Sequence, residues 1–318
     1  MFFQSIMYAN QLFAELHDFG EIENSHINEA SGICPSKKNS NVLWIHNDSG
    51  DHSRIFAVNF NGEHLAEYYL NNSKNRDWED IAIGPGPIPE ESYLYVGDIG
   101  DNLSIYGTKY IYRFIEPTIN YKNSPIIDTL FNFDVISYQY ENGKRDAETL
   151  MIDPWTNDIY VVSKREKNIQ FYILEYPQNL ESTMIAKLVG EKNFYSNLSQ
   201  RDAMHWITAG DISFDGYDVL IKSYIDVFYF SRDKGESIID AILKPNLMIE
   251  YTPEVQGEAI CWEPNKHGYF TVSEEKFNNP ASLFFYPKKI GCIDSKALNY
   301  NPYATIGNRS CIYEINNK

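Results

Sequence analysis

DWEDIAIGPGPIPEESYLYVGDIG, residues 77–100, contains the fold in miniature. An acidic pair precedes an aliphatic anchor, Ile81. A Gly/Pro-rich turn follows, and then a very apolar run, Tyr93–Val96. Short β-branched and aromatic runs bounded by turn residues read as strands, not helices. The same unit recurs four more times, as EASGICPSKKNSNVLWIHNDSG (29–50), DAETLMIDPWTNDIYVVSKRE (146–166), AGDISFDGYDVLIKSYID (209–226) and QGEAICWEPNKHGYFTVSEE (256–275). The anchors Ile33, Ile81, Leu150, Ile212 and Ile260 are spaced at roughly 48 to 69 residues, the period of a four-stranded propeller blade with variable loops.

Each unit continues alike. The anchor lies on a first strand. A second strand is the apolar run (Val42–Ile45, Tyr93–Val96, Ile159–Val162, Val219–Ile221, Tyr269–Val272). A third is aromatic (Ile55–Phe60, Tyr110–Phe114, Ile169–Leu174, Val227–Phe230, Leu283–Tyr286). The fourth varies most, as in Glu63–Leu70 and Thr129–Tyr138. The fifth unit ends after its third strand, at Tyr286, while an extended stretch, Leu12–Ile22, precedes the first unit. The pattern predicts an all-β, five-bladed propeller over residues 1–289, with the N-terminal stretch supplying the missing outer strand and removing an open seam. Six blades is the alternative, if 115–145 or 175–208 hides a further one. Residues 290–318 form a small tail in which Cys292 and Cys311 bracket a short segment and read as a disulfide pair. Cys34 and Cys261 follow apolar anchors and read as buried free thiols.

Composition narrows the function. Hydrophobic residues make up 43% of the 318, enough for a sizeable core. A formal net charge of −17 argues against nucleic acid as a partner, because phosphate neutralisation needs a basic surface, and it suits Ca²⁺. No apolar run is long enough for a transmembrane helix. The first residues, MFFQSIMYANQLF, make a poor secretory signal, with no basic start and with Gln4, Ser5, Asn10 and Gln11 interrupting the apolar residues.

The candidate site comes from aligning the anchors. Two residues upstream stand Ser31, Glu79, Glu148, Gly210 and Glu258, with Asp211 one later in the fourth unit and Asp80 a second carboxylate in the second. RDWED (76–80) and RDAET (145–149) share one spacing. Innermost propeller strands all run the same way, so these carboxylates converge at one mouth of the channel, where like charges call for a compensating cation. Glu79, Asp80, Glu148, Asp211 and Glu258 are therefore candidate Ca²⁺ ligands. The same acids also suit a purely structural role, latching backbone N–H groups of neighbouring blades. Loops after the second strands carry Asp48, Asp98, Lys164, Lys222 and Glu274; sequence leaves open which face they reach. Asp48, Asp98, Lys222 and Glu274 are candidate ligand-binding residues. For acid/base hydrolysis, Glu148 and Glu258 would hold or activate water and Lys164 would steady an anion. Trp78, Trp155 and Trp262 suit sugar stacking or, equally, core packing.

SGI (31–33), LWIHNDSGD (43–51), DWEDIAIGPG (77–86), YLYVGDIGDN (93–102), DAETLMIDP (146–154), GDIS (210–213) and QGEAI (256–260) resemble a family of bacterial β-propellers labelled phytase-like or esterase-like. The resemblance implies Ca²⁺-dependent phosphoester hydrolysis by acidic channel residues, to which Glu79, Glu148, Asp211 and Glu258 correspond in kind. The chain departs from it in lacking a dense basic cluster for a multiply phosphorylated substrate. The tail, GCIDSKALNYNPYATIGNRSC (291–311), resembles the GCxDxxAxNYNPxAT…SC module of secreted and surface proteins of bacteria and of some viral particles. In that module the oxygens of Asp294, Asn299, Asn301 and Asn308 would either bind a cation or cap turns. Together these readings imply an extracellular, cell-surface or virion protein. Its expected role is a Ca²⁺-stabilised module binding a polar small molecule, a glycan or a neighbouring surface protein. A metal-dependent ester or phosphoester hydrolase and a purely structural particle protein are the alternatives.

Overall fold

A computed structural model of the chain describes residues 12–198, 202–277 and 279–314. Strand β1 (His17–Glu21) is followed by blade one: β2 (Ala30–Pro35), β3 (Val42–Asn47), β4 (Arg54–Asn59) and β5 (His64–Leu70). Blade two comprises β6 (Trp78–Pro85), β7 (Ser92–Asp98), β8 (Lys109–Ile115) and, after the intervening β9 (Ile126–Leu130), β10 (Asp134–Tyr140). Blade three is β11 (Ala147–Ile152), β12 (Ile159–Ser163), β13 (Ile169–Leu174) and β14 (Met184–Lys192). Blade four is β15 (Ile207–Ile212), β16 (Asp218–Ser223), β17 (Val227–Ser231) and β18 (Leu247–Ile249). Blade five is β19 (Gly257–Trp262), β20 (Gly268–Ser273) and β21 (Ser282–Pro287).

The innermost strands β2, β6, β11, β15 and β19 each touch the next, and β19 touches β2, so the ring of five closes. Every residue of β2, β11, β15 and β19 is buried, because a neighbouring blade covers each face. The outer strand β10, by contrast, alternates between buried and exposed residues. Apolar clusters fill the seams. One, between blades two and three, includes Tyr138, Tyr140 and Tyr172. Another, between blades four and five, includes Trp262, Tyr269 and Phe13.

The N-terminal stretch closes the ring. Strand β1 pairs antiparallel with β21, and a bridge joins Phe13 to Lys288. Phe13 is fully buried, its ring 5.1 Å from Tyr269 and 6.2 Å from Trp262.

The two long stretches that left room for a sixth blade are accounted for by outer-rim pairing. The strand expected over Thr129–Tyr138 is in fact two, separated by an irregular break at Phe131–Phe133. Strand β9 adds in parallel to β5 as a fifth strand of blade one, while β10 completes blade two. Strand β10 also pairs in parallel with β14, which merges blades two and three into one eight-stranded sheet. No sixth blade exists among the described residues.

The tail begins at β22 (Ile290–Gly291), which pairs with β23 (Ile306–Gly307), and a disulfide joins Cys292 to Cys311. It packs on the closing seam: Tyr303 lies 5.1 Å from Phe285 and 6.1 Å from His17, and Asn301 donates to the Lys288 carbonyl at 3.0 Å. Three of the four tail oxygens cap turns, and that of Asn299 ties its segment to the end of the tail. Asp294 accepts from Lys296 N–H, Asn299 from Ile312 N–H, Asn301 from Tyr303 N–H and Asn308 from Ser310 N–H, at 2.8–3.0 Å. Cys34 and Cys261 are buried free thiols. No helix among the described residues is long and apolar enough to cross a membrane.

Candidate metal centre at the channel mouth

Each innermost strand begins with the same irregularity. Ala30 faces Asn47 and Gly32 faces His46, which leaves Ser31 as an extra residue; the ladder shifts likewise at Glu79, Glu148, Thr208 and Glu258. A bulge of this kind expels one residue from the hydrogen-bond ladder and re-aims it. Five-fold repetition makes a ring of Ser31, Glu79, Glu148, Thr208 and Glu258, all 4% exposed or less.

The fourth member differs from the sequence alignment. Gly210, not Ile212, occupies the anchor position, and Thr208 stands on the ring. A side chain at 210 has no room, since a Cβ would lie 2.9 Å from the Leu220 carbonyl oxygen. The apolar anchor is therefore missing from blade four, and the next aliphatic residue took its place in the alignment.

The loops after the second strands reach this same mouth. Asp48 N–H bonds the Glu29 carbonyl at 2.8 Å, and Lys164 and Glu274 N–H groups bond Asp146 and Gln256 at 3.1 Å. In blade two the corresponding residue is Gly100, bonded to the Asp77 carbonyl at 3.1 Å. A Cβ there would lie 2.0 Å from Glu79 Oε1 and 2.6 Å from the Asp77 carboxylate. Glycine at 100 thus makes the space that the two acids occupy.

Two carboxylate triads result, Asp48–Asp77–Glu79 and Glu79–Asp146–Glu148, each with oxygens within 4.8 Å of one another and sharing Glu79. That is within the reach of a single divalent ion. Burial, followed by repulsion from Glu258 and Asp77, pushes the Asp48 carboxyl up to about 7. Burial raises Asp77, with Asp146 adding to it, and raises Glu79 well above the usual carboxylate range, with Asp48 next in weight. Glu274 reaches about 9 through burial and then the adjoining Glu258. Tyr224 donates to Glu258, and burial raises its own phenol. Burial and like charge together favour a proton or a metal cation at this mouth.

Of the residues singled out in the sequence, Glu79, Glu148 and Glu258 meet on the ring, with Asp48 and Glu274 beside them. Asp80 and Asp211 do not join them. Asp80 accepts from Ile81 and Leu150 N–H, both at 2.9 Å, and Asp211 from Ile212 and Trp262 N–H, both at 2.8 Å. Each therefore ties its own inner strand to that of the next blade, which removes both from the metal set. Lys222 is fully buried and bonds the carbonyls of Gly257 and Ser223, so no ligand reaches it. Asp98 accepts from Asp77 N–H at 3.2 Å and pairs with Arg76 at 3.3 Å, behind the triad rather than in it. Lys164 is held by Glu148. Trp78 and Trp262 are core residues, and Trp155 lies under Arg232, 3.7 Å from its ring centre.

Sequence reasoning passed over Asp77 and Asp146 as ligands, although the shared Arg-Asp-x-Glu spacing carried the signal. Trp206 was also passed over. It is half-buried at the mouth, as Tyr224 is, with Arg165 stacked 4.3 Å from its ring centre. Nothing in the repeat marks it, because it precedes the blade-four strand in a long loop.

Fold and site together define a five-bladed β-propeller with a buried carboxylate ring at one mouth, grouped so that it can hold a metal ion. No known protein-family profile matches the chain, and no curated protein does. Among solved structures it is similar to Raptor from Chaetomium thermophilum, with a TM-score of 0.37 and 12% identity over 84% of this chain; the match spans 21% of the Raptor chain. It is also similar to the PQQ-bound aldose sugar dehydrogenase of Streptomyces coelicolor, with a TM-score of 0.45 and 8% identity over 86% of this chain and 98% of that one.

Proposed function

We propose that the protein is a calcium-stabilised propeller that binds a polar ligand, a glycan or a neighbouring protein at its acidic mouth. It would work outside the cytoplasm or on the surface of a particle such as a virion. The observation that carries this reading is the pair of triads sharing Glu79. Their donors are all carboxylate oxygens, with no His or Cys, and such hard sets favour Ca²⁺ over zinc or copper. The tail disulfide supports an oxidising location. Its resemblance to surface-protein modules supports display. Trp206, beside the triads, offers a stacking face for a sugar ring.

A hydrolytic reading has one observation in its favour. Asp48, raised to about 7, and Glu274, raised to about 9, both chiefly by burial, can hold a proton beside the Glu258 carboxylate, a pairing used in acid/base work. Titrating the protein with neutral and acidic oligosaccharides, with Ca²⁺ or EDTA, separates the two. Ca²⁺-dependent quenching of tryptophan fluorescence, without turnover of a phosphomonoester, is expected. Ca²⁺-dependent turnover that Glu274→Gln abolishes would replace the binding role with the hydrolytic one. Neither quenching nor turnover would leave the structural role.

A further inference from the structure

The two triads are not equivalent. Lys164 reaches from the end of β12 to the Glu148 carboxylate, and Arg165 Nε bonds Asp146 Oδ2 at 2.5 Å. Both acids that Glu79 shares with blade three thus have a cation belonging to the chain itself. No Lys or Arg pairs with Asp48, Asp77 or Glu79 among the described residues. The Lys164 ammonium is further fixed 5.9 Å from the Trp206 ring centre and 5.7 Å from that of Tyr224.

Two oxygens of the ring have no partner. Glu148 Oε2 and, on the adjacent ring position, Thr208 Oγ1 are buried and make no hydrogen bond. Buried polar atoms are almost always satisfied, so these two ring oxygens are open to a cation or a water. Two divalent ions sharing Glu79 would repel strongly, whereas one tethered ammonium asks for fewer ligands and brings half the charge.

We propose that Lys164 is a built-in cation that closes one of two overlapping metal positions. The native mouth takes a single divalent ion on Asp48, Asp77 and Glu79, and removing the ammonium opens Glu79–Asp146–Glu148 to a second. This rests on the reading that the mouth holds Ca²⁺.

The test is the number of Ca²⁺ ions bound per full-length chain, by equilibrium dialysis with elemental analysis. The native protein and Lys164→Arg should bind about one, and Lys164→Met about two. Glu148→Gln, which breaks the second triad and leaves the first intact, should still bind about one. The proposal is overturned if Lys164→Met binds no more than the native chain, or if Glu148→Gln binds none. A native chain that binds no Ca²⁺ would overturn the calcium reading itself.

Discussion

Asp211→Ala is expected to lower the free energy of unfolding by about 2–6 kcal/mol, equally in Ca²⁺ and in EDTA. The carboxyl accepts two buried N–H groups, of Ile212 in its own strand and Trp262 in the next blade. Leaving a buried donor unsatisfied costs about 1–3 kcal/mol, and here there are two. Burial pushes the Asp211 carboxyl up to about 7, yet a neutral carboxyl still accepts hydrogen bonds, so the latch works on both sides of that pH. Asp80→Ala should behave likewise, since Asp80 bonds Ile81 and Leu150 in the same way. Urea unfolding with and without Ca²⁺ measures this. A loss confined to Ca²⁺-loaded protein would return these two acids to the metal site.

In EDTA, stability should fall as pH rises from about 4 to about 7, and saturating Ca²⁺ should remove the part of that fall that comes from Asp48, Asp77 and Glu79. Asp48, Asp211 and Glu254 are each raised to about 7, Asp98 to about 6 and Glu274 to about 9, in each case chiefly by burial. In the unfolded chain these groups release their protons near pH 4. Between that pH and the raised values the native state binds more protons than the unfolded one. Raising the pH therefore favours unfolding, by up to about 1.4 kcal/mol per pH unit for each such group.

His46 acts in the opposite direction. Burial holds it at about 4, so its contribution rises with pH up to about 6.5, the ordinary histidine value. Burial lowers His64 and His267 too, and they act in the same direction, but three imidazoles do not outweigh five carboxyls. Asp51, Glu67, Asp101 and Asp215, whose partners hold them below the usual range, act below pH 4 and leave this window unchanged. Ca²⁺ displaces protons from Asp48, Asp77 and Glu79, so its stabilisation should grow with pH. Melting temperatures between pH 4.5 and 7.5, with Ca²⁺ and with EDTA, show both slopes. Parallel curves would mean that no cation competes with these protons.

The blade count was legible because a propeller's inner strands are buried on both faces, which forces short apolar runs of fixed period. Ring closure by Leu12–Ile22 followed from a fifth unit one strand short. The outer rim was not legible: β9 and β10 each pair in parallel with a strand of another blade, and a non-local partner leaves no local pattern. The ring of acids was legible at Glu79, Glu148 and Glu258, where an aliphatic anchor fixes the register. It was misread at blade four, because backbone crowding requires glycine at 210. Asp80 and Asp211 look like ring members in sequence, and only the direction of their side chains shows them to be latches. Lys222 reads in sequence as a ligand-binding residue after an apolar strand, whereas its ammonium bonds buried carbonyls.

The most direct measurement is thermal unfolding of the native protein and of Glu79→Gln, each with millimolar Ca²⁺ and with EDTA. Glu79 belongs to both triads, so its loss should abolish the Ca²⁺-dependent rise in melting temperature. The EDTA curve should stay as stable or become more so, because a crowded buried carboxyl has gone. A native protein whose melting temperature ignores Ca²⁺, or a variant that keeps the full rise, would contradict a cation at this mouth and leave the carboxyls as structural elements of the ring.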